Sequence, residues 1–171
     1  QMKTLGLLGG LSWESTVHYY QALNRMARAR LGGASSARLV MWSVDFGPIA
    51  ARINAGDWDP IRDELVEAAK RLESAGAEGI VICTNTMHRF APEISAAVSI
   101  PLIHIADATA AALKGKGVER PLLLATKATM EQDLYRSRLT AQGLEAVVPA
   151  EVDRAKLNAI IFDELVQGQF L

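Results

Sequence analysis

Short apolar runs alternate along the chain with longer segments whose apolar residues recur every three to four positions. That alternation is the signature of βαβ units around a mainly parallel sheet, an α/β fold. The runs Thr4 to Leu8, Leu39 to Val44, Gly79 to Cys83, Leu102 to Ile105 and Leu122 to Ala125 are each four to six residues long and rich in Leu, Ile and Val. Runs of that kind predict strands buried on both faces. Between them, Asp59 followed by Pro60 predicts an N-cap and then proline at the first helical position. The helix continues to Gly76, with Ile61, Leu65, Leu72 and Ala75 as its apolar stripe and Gly76 as a left-handed stop. Thr129 with Gln132 reads as a capping box ahead of Leu134 and Leu139, and Gly143 ends that helix. Asp153 caps the last segment, where Leu157, Ile160, Ile161 and Leu165 share one helical face.

The chain resembles itself once. Leu5 to Glu14 (LGLLGGLSWE) and Leu122 to Glu131 (LLLATKATME) share an apolar strand, a turn, a hydroxyl residue, a large apolar residue and a glutamate. Duplicated α/β domains produce such a pattern, and so does chance between two strand-to-helix turns. Duplication predicts two similar domains, residues 1–103 and 104–171. The second is incomplete at its C-terminus, because the counterpart of Cys83 falls near position 200, past Leu171. The second half would then lack a central strand and expose apolar sheet edge.

Composition narrows the partners. Half of the 171 residues are apolar, enough for a sizeable core, and the formal net charge is −1. That balance gives no general attraction to nucleic acid or to an anionic membrane surface, so small molecules are the expected partners. The apolar runs fall far short of the roughly 18 to 20 residues that span a bilayer, and the N-terminus lacks the pattern of a signal peptide. No membrane segment and a cytoplasmic location are therefore expected.

A single cysteine cannot form an intramolecular disulfide. Cys83 closes the run Gly79-Ile80-Val81-Ile82 and precedes Thr84-Asn85-Thr86-Met87-His88. Carboxyl ends of parallel strands face the ligand crevice, so Cys83 stands where sites are built. Thr84, Asn85 and Thr86 add hydroxyl, amide and N–H donors before a helical turn, whose N-terminal end favours anions and lowers a nearby thiol's pKa. A carboxylate would be held beside a thiolate. Composition alone favours a small core residue with Thr86 as an N-cap; the clustering shifts the balance toward function. Pro92 limits the following helix or breaks it after one turn.

Other candidates are weaker. Gly6-Leu7-Leu8-Gly9-Gly10 is not G-x-G-x-x-G and has no Walker lysine; it reads as a tight turn with N–H groups left for a small anion. No pair among His18, His88 and His104 has metal-ligand spacing, and no metal site is expected. His18 falls on the first helix, His88 is close enough in sequence to influence Cys83, and His104 lies within a strand. Arg52, in a loop after the second strand, and Lys156, in the first turn of the last helix, are cations able to clamp a carboxylate. A surface charge is the better reading of either one alone.

Taken together, LGLLGGLSWEST, AGAEGIVICTNTMH, PLIHIADAT and TKATMEQDLYRSRL resemble the aspartate/glutamate racemase family over nearly the whole chain. The resemblance implies two similar α/β domains, each offering one catalytic cysteine to a substrate in the cleft between them, and no cofactor. It implies that Cys83 is the first cysteine and that Thr84, Asn85 and Thr86 bind the α-carboxylate. Thr126 matches a polar residue at the facing strand end, and Arg52 and Lys156 sit where some members hold the distal carboxylate. Gly10 and Ser12, in the opening turn, complete the substrate contacts. The second cysteine, usually in a G-C-T-E motif, is not among these residues. The implied partners are a small acidic amino acid or dicarboxylate and a second copy in a homodimer. Inversion needs a proton removed from one face of the α-carbon and returned to the other, and a thiol brought toward neutrality can do this without pyridoxal phosphate. Relatives of the maleate or hydantoin type share the cysteine positions, and a non-catalytic carboxylate-binding module is the remaining alternative.

Overall fold

In the computed structural model, which describes residues 2–165 and 169, the run after Thr4 forms strand β1 (Leu5–Gly9), with Leu7 and Leu8 wholly buried. It lies between β2 (Leu39–Ser43) and β3 (Ile80–Ile82) and parallel to both, with Gly6 opposite Val40 on one side and Ile80 on the other. The sheet order is β2-β1-β3. Burial on both faces explains why a continuous apolar run rather than an alternating one marks this strand.

Three helices connect these strands: α1 (Trp13–Leu31), α2 (Phe46–Ala55) and α3 (Asp59–Ser74). In α3 the buried stripe is Ile61, Leu65, Ala68, Ala69 and Leu72. Ala75 lies outside it and is exposed, because the helix ends one residue earlier. The N-cap is Trp58, already helical in φ and ψ, while the Asp59 carboxylate pairs with Arg62 at 2.9 Å instead of accepting a backbone N–H. Gly76, at φ +91°, supplies the left-handed stop, a conformation that costs other residues about 1 kcal/mol.

Two expected strands shrink to single bridges. Leu102 pairs only with Ile80, and Leu122 only with Val147. His104 therefore follows a bridge rather than lying within a strand. After β3 comes a five-residue 3₁₀ turn, Thr86–Phe90, and then α4 (Ala91–Ala97), where Pro92 occupies the first turn and needs no N–H partner.

The chain divides into two units, residues 1–105 and 106–171. The core of the first gathers Leu8, Ile49, Ile61, Leu65, Ile80 and Ile82. The second unit carries most of α5 (Ile105–Gly115), then α6 (Lys127–Glu131), α7 (Asp133–Ala141) and α8 (Glu151–Ala159), followed by a π-helical turn at Ile160–Glu164. Its core cluster is Ala110, Leu139 and Leu144. The capping box expected at Thr129 is not formed: Thr126 caps α6, its hydroxyl accepting the Thr129 N–H, and Gln132 is the extended residue between α6 and α7. Asp153 is inside α8, which starts after Ala150. Leu157, Ile160 and Ile161 are half-buried, whereas Leu165 is exposed. Among the described residues no helix is long and apolar enough to cross a membrane.

Candidate functional site

Sheet order decides where a site can form. The chain leaves β1 for β2 on one side and returns to β3 on the other, so the strand order reverses at β1. In open α/β sheets the loops leaving the strands on either side of such a reversal diverge and open a crevice at their carboxyl ends. Here those loops start at Gly10 and Cys83.

The Gly10 turn is tightly held. Gly10 has φ +83°, and a Cβ there would come within 2.3 Å of the Val44 carbonyl oxygen, so no side chain fits. Its N–H donates to the Thr16 hydroxyl at 2.9 Å, and Val44 N–H donates to the Gly9 carbonyl at 3.0 Å. The Gly10 N–H is thus consumed within the protein and is not left for an anion. Ser12 follows as the extended N-cap of α1, with no bond from its own hydroxyl to the helix.

Cys83 is wholly buried. Its N–H donates to the Leu8 carbonyl at 2.9 Å and its carbonyl accepts from the Ser15 hydroxyl at 2.7 Å. Burial pushes the thiol up to about 12. The expectation of a thiol lowered by the following helical turn is corrected here: that turn is one short 3₁₀ segment, and loss of solvation outweighs it. Thr84 is half-buried, and Asn85 and Thr86 are exposed just beyond the thiol.

His88 is buried and serves the backbone. Ile105 N–H donates to its Nε2 at 3.3 Å, which leaves Nδ1–H to donate to the Asn85 carbonyl at 3.2 Å. Its ring meets that of His104 edge-on at 4.5 Å. These contacts fix the loop that follows Cys83. His18 is exposed on α1.

Arg52 lies in the last turn of α2, not in a loop, and its guanidinium pairs with Glu64 at 3.4 Å. Lys156 is in the last turn of α8 rather than the first, and is exposed. Thr126, the cap of α6, belongs with Lys156 to the second unit. In the first unit the structure brings Gly10, Ser12, Cys83 and the Thr84–Thr86 segment to one end of the sheet.

Sequence reasoning missed the face of α1 that meets this site. Ser15 donates to both Ser12 and Cys83 carbonyls, Thr16 accepts from Gly10, and Tyr19 is half-buried. Burial first, and Cys83 second, raise the Tyr19 phenol above its ordinary value. The signal was present: Ser12, Ser15, Thr16 and Tyr19 are hydroxyl residues at helical spacing.

Comparison with known proteins identifies the family and the fold. A family model described as Asp/Glu/hydantoin racemase matches residues 8–170. A Yersinia pestis protein solved as a candidate Asp/Glu racemase is 48% identical, with a TM-score of 0.95 over 99% of this chain and 74% of that one. An aspartate racemase homologue from Pyrococcus horikoshii is 37% identical, with a TM-score of 0.87 over 98% of this chain and 74% of that one. The broad specificity amino-acid racemase RacX of Bacillus subtilis is 28% identical over 91 residues, 53% of this chain and 40% of its own length. The chain thus spans less than half of that curated relative and about three quarters of the two solved proteins.

Proposed function

The chain belongs to the Asp/Glu/hydantoin racemase family, and from that premise we propose that it is the thiol-bearing part of a cofactor-independent racemase of acidic amino acids. The observation that carries the reading is the position of Cys83, at the carboxyl end of β3 on one side of the strand-order reversal. In this reading the substrate's α-carboxylate takes donors from Thr84, Asn85 and Thr86, and the Cys83 thiol exchanges a proton with the α-carbon. Donors on the carboxylate stabilise the charge that develops as that proton leaves. Ser12 and Gly10 shape the opposite wall, Gly10 by having no side chain and Ser12 through a hydroxyl that does not cap α1.

Burial holds the Cys83 thiol in its neutral form in the folded chain, so in this reading it acts as the acid when it returns a proton to the α-carbon. It becomes the base of the reverse direction once that proton is spent. The group on the other face of the α-carbon is not a cysteine of these 171 residues. The test is chiral chromatography of L- and D-aspartate and glutamate with the full-length protein in the absence of pyridoxal phosphate. Interconversion that Cys83→Ala abolishes supports the reading; normal turnover in that variant removes it.

A second reading rests on Arg52. Its pairing with Glu64 leaves its charge offset as a distal carboxylate clamp, which favours a wider range of amino acid side chains. Turnover of neutral or basic amino acids at rates comparable to aspartate would select it.

A further inference from the structure

The hydroxyl of Ser15 is a single donor placed between two carbonyls. It lies 2.9 Å from the Ser12 oxygen, in the turn leaving β1, and 2.7 Å from the Cys83 oxygen, at the end of β3. Ser15 is the third residue of α1, so its contact with its own N-cap carbonyl is local. The contact with Cys83 spans 68 positions of sequence. With the Cys83 N–H already bound to Leu8, this bond fixes the peptide units on both sides of the Cys83 Cα, and through them the direction of its Cα–Cβ bond. One helical turn on, Tyr19 is half-buried on the same face of α1.

We propose that Ser15 is the positioning residue of Cys83: its hydroxyl ties the thiol-bearing strand end to the turn of β1 and holds the thiol buried at a fixed place in the crevice. The assignment rests on the functional reading only for what the thiol does; the tether itself is a property of the chain. Because Cys83 is wholly buried, its reaction with iodoacetamide requires the strand end to open. Removing the tether eases that opening.

The experiment follows alkylation of Cys83 by peptide mass mapping in the full-length protein between pH 7 and 10, with circular dichroism melts alongside. Ser15→Ala is expected to raise the alkylation rate about fivefold, the equivalent of one lost hydrogen bond, and to move the rate–pH profile to lower pH as the thiol gains solvent. Ser15→Thr keeps a hydroxyl at the same atom and is expected to stay within about twofold of the parent. Ile94→Val, a buried change in α4, loosens the same unit without touching the tether and is expected to leave the Cys83 rate unchanged. A rate and profile for Ser15→Ala equal to the parent, an equal rise in Ile94→Val, or no rescue by threonine would each overturn the assignment. A separate arm adds aspartate. Failure of aspartate to protect Cys83 in the parent protein counts against the racemase reading and leaves the Ser15 result standing.

Discussion

One ten-residue stretch in each unit follows a similar pattern, and the two units build different things with it. In the first, the strand-like run after Thr4 has neighbours on both sides, and Leu7 and Leu8 disappear from solvent. In the second, the matching run from Leu122 makes one bridge, to Val147, and Leu122 and Leu124 remain more than half exposed. The turns that follow differ too. The first passes through Gly10 to an N-cap at Ser12; the second caps α6 at Thr126, three residues before the position that the internal similarity assigns. An apolar run becomes a strand when partners satisfy its backbone and cover its faces, and the same run without them stays a bridge.

The comparison breaks most readily in the core. Leu65→Ala, in the first unit, is expected to cost about 4 kcal/mol in urea unfolding, because a wholly buried side chain leaves a cavity bounded by two layers. The equivalent cut at Leu139, in the smaller cluster with Ala110 and Leu144, is expected to cost roughly half as much, since its surroundings collapse more easily. Equal losses would mean that the two cores are equally well packed. Next in size is Gly10→Ala. A methyl group facing the Val44 backbone at 2.3 Å in a left-handed conformation is expected to destabilise the first unit by about 3 kcal/mol, read as a shift in urea midpoint at constant slope.

A smaller effect separates the units by pH. The Cys83 thiol has its pKa raised from an ordinary value of 9.0 to about 12 in the folded chain. The unfolded chain therefore loses this proton first, and the stability from keeping the thiol neutral is whole below pH 9 and falls as pH rises toward 12. Cys83→Ala should flatten that alkaline fall by about 2 kcal/mol near pH 10.5, without changing stability near pH 7 in the same way. Parallel stability curves for parent and variant from pH 8 to 11 would show that the thiol is solvated in the fold. Smallest of all, Arg52→Gln is expected to change stability by under ~1 kcal/mol, because the Arg52–Glu64 pair, at 3.4 Å, is only half-buried and still meets solvent.

What the sequence made legible follows the same logic. β1, β3 and α3 were readable because their patterns are enforced locally and then buried; β2 was readable from its apolar run alone, for it is not buried on both faces as expected, and Met41 and Trp42 are exposed. α2 was missed although its signal was present: Phe46, Ile49, Ala50 and Ile53 recur at helical spacing, Asp45 accepts the Gly47 N–H at 3.0 Å and Pro48 suits a first helical turn, yet the segment read as a loop and Arg52 was placed there. The runs at Leu102 and Leu122 misled because an isolated run carries no record of its partners. Cys83 stood out as the only thiol at a strand end, whereas its raised pKa is a matter of tertiary burial that no spacing encodes. The tether from Ser15 bridges residues 68 apart and becomes visible only once β1 and β3 lie side by side.

The central claim is that the Cys83 sulfur carries the α-proton. The most direct measurement is deuterium wash-in at the α-carbon of L-aspartate in D₂O, followed by proton NMR, with full-length protein and its Cys83→Ala variant. Exchange in the parent and none above background in the variant, with aspartate still bound in calorimetry, is the predicted result. Equal wash-in by both proteins would contradict the account and move the proton to another group.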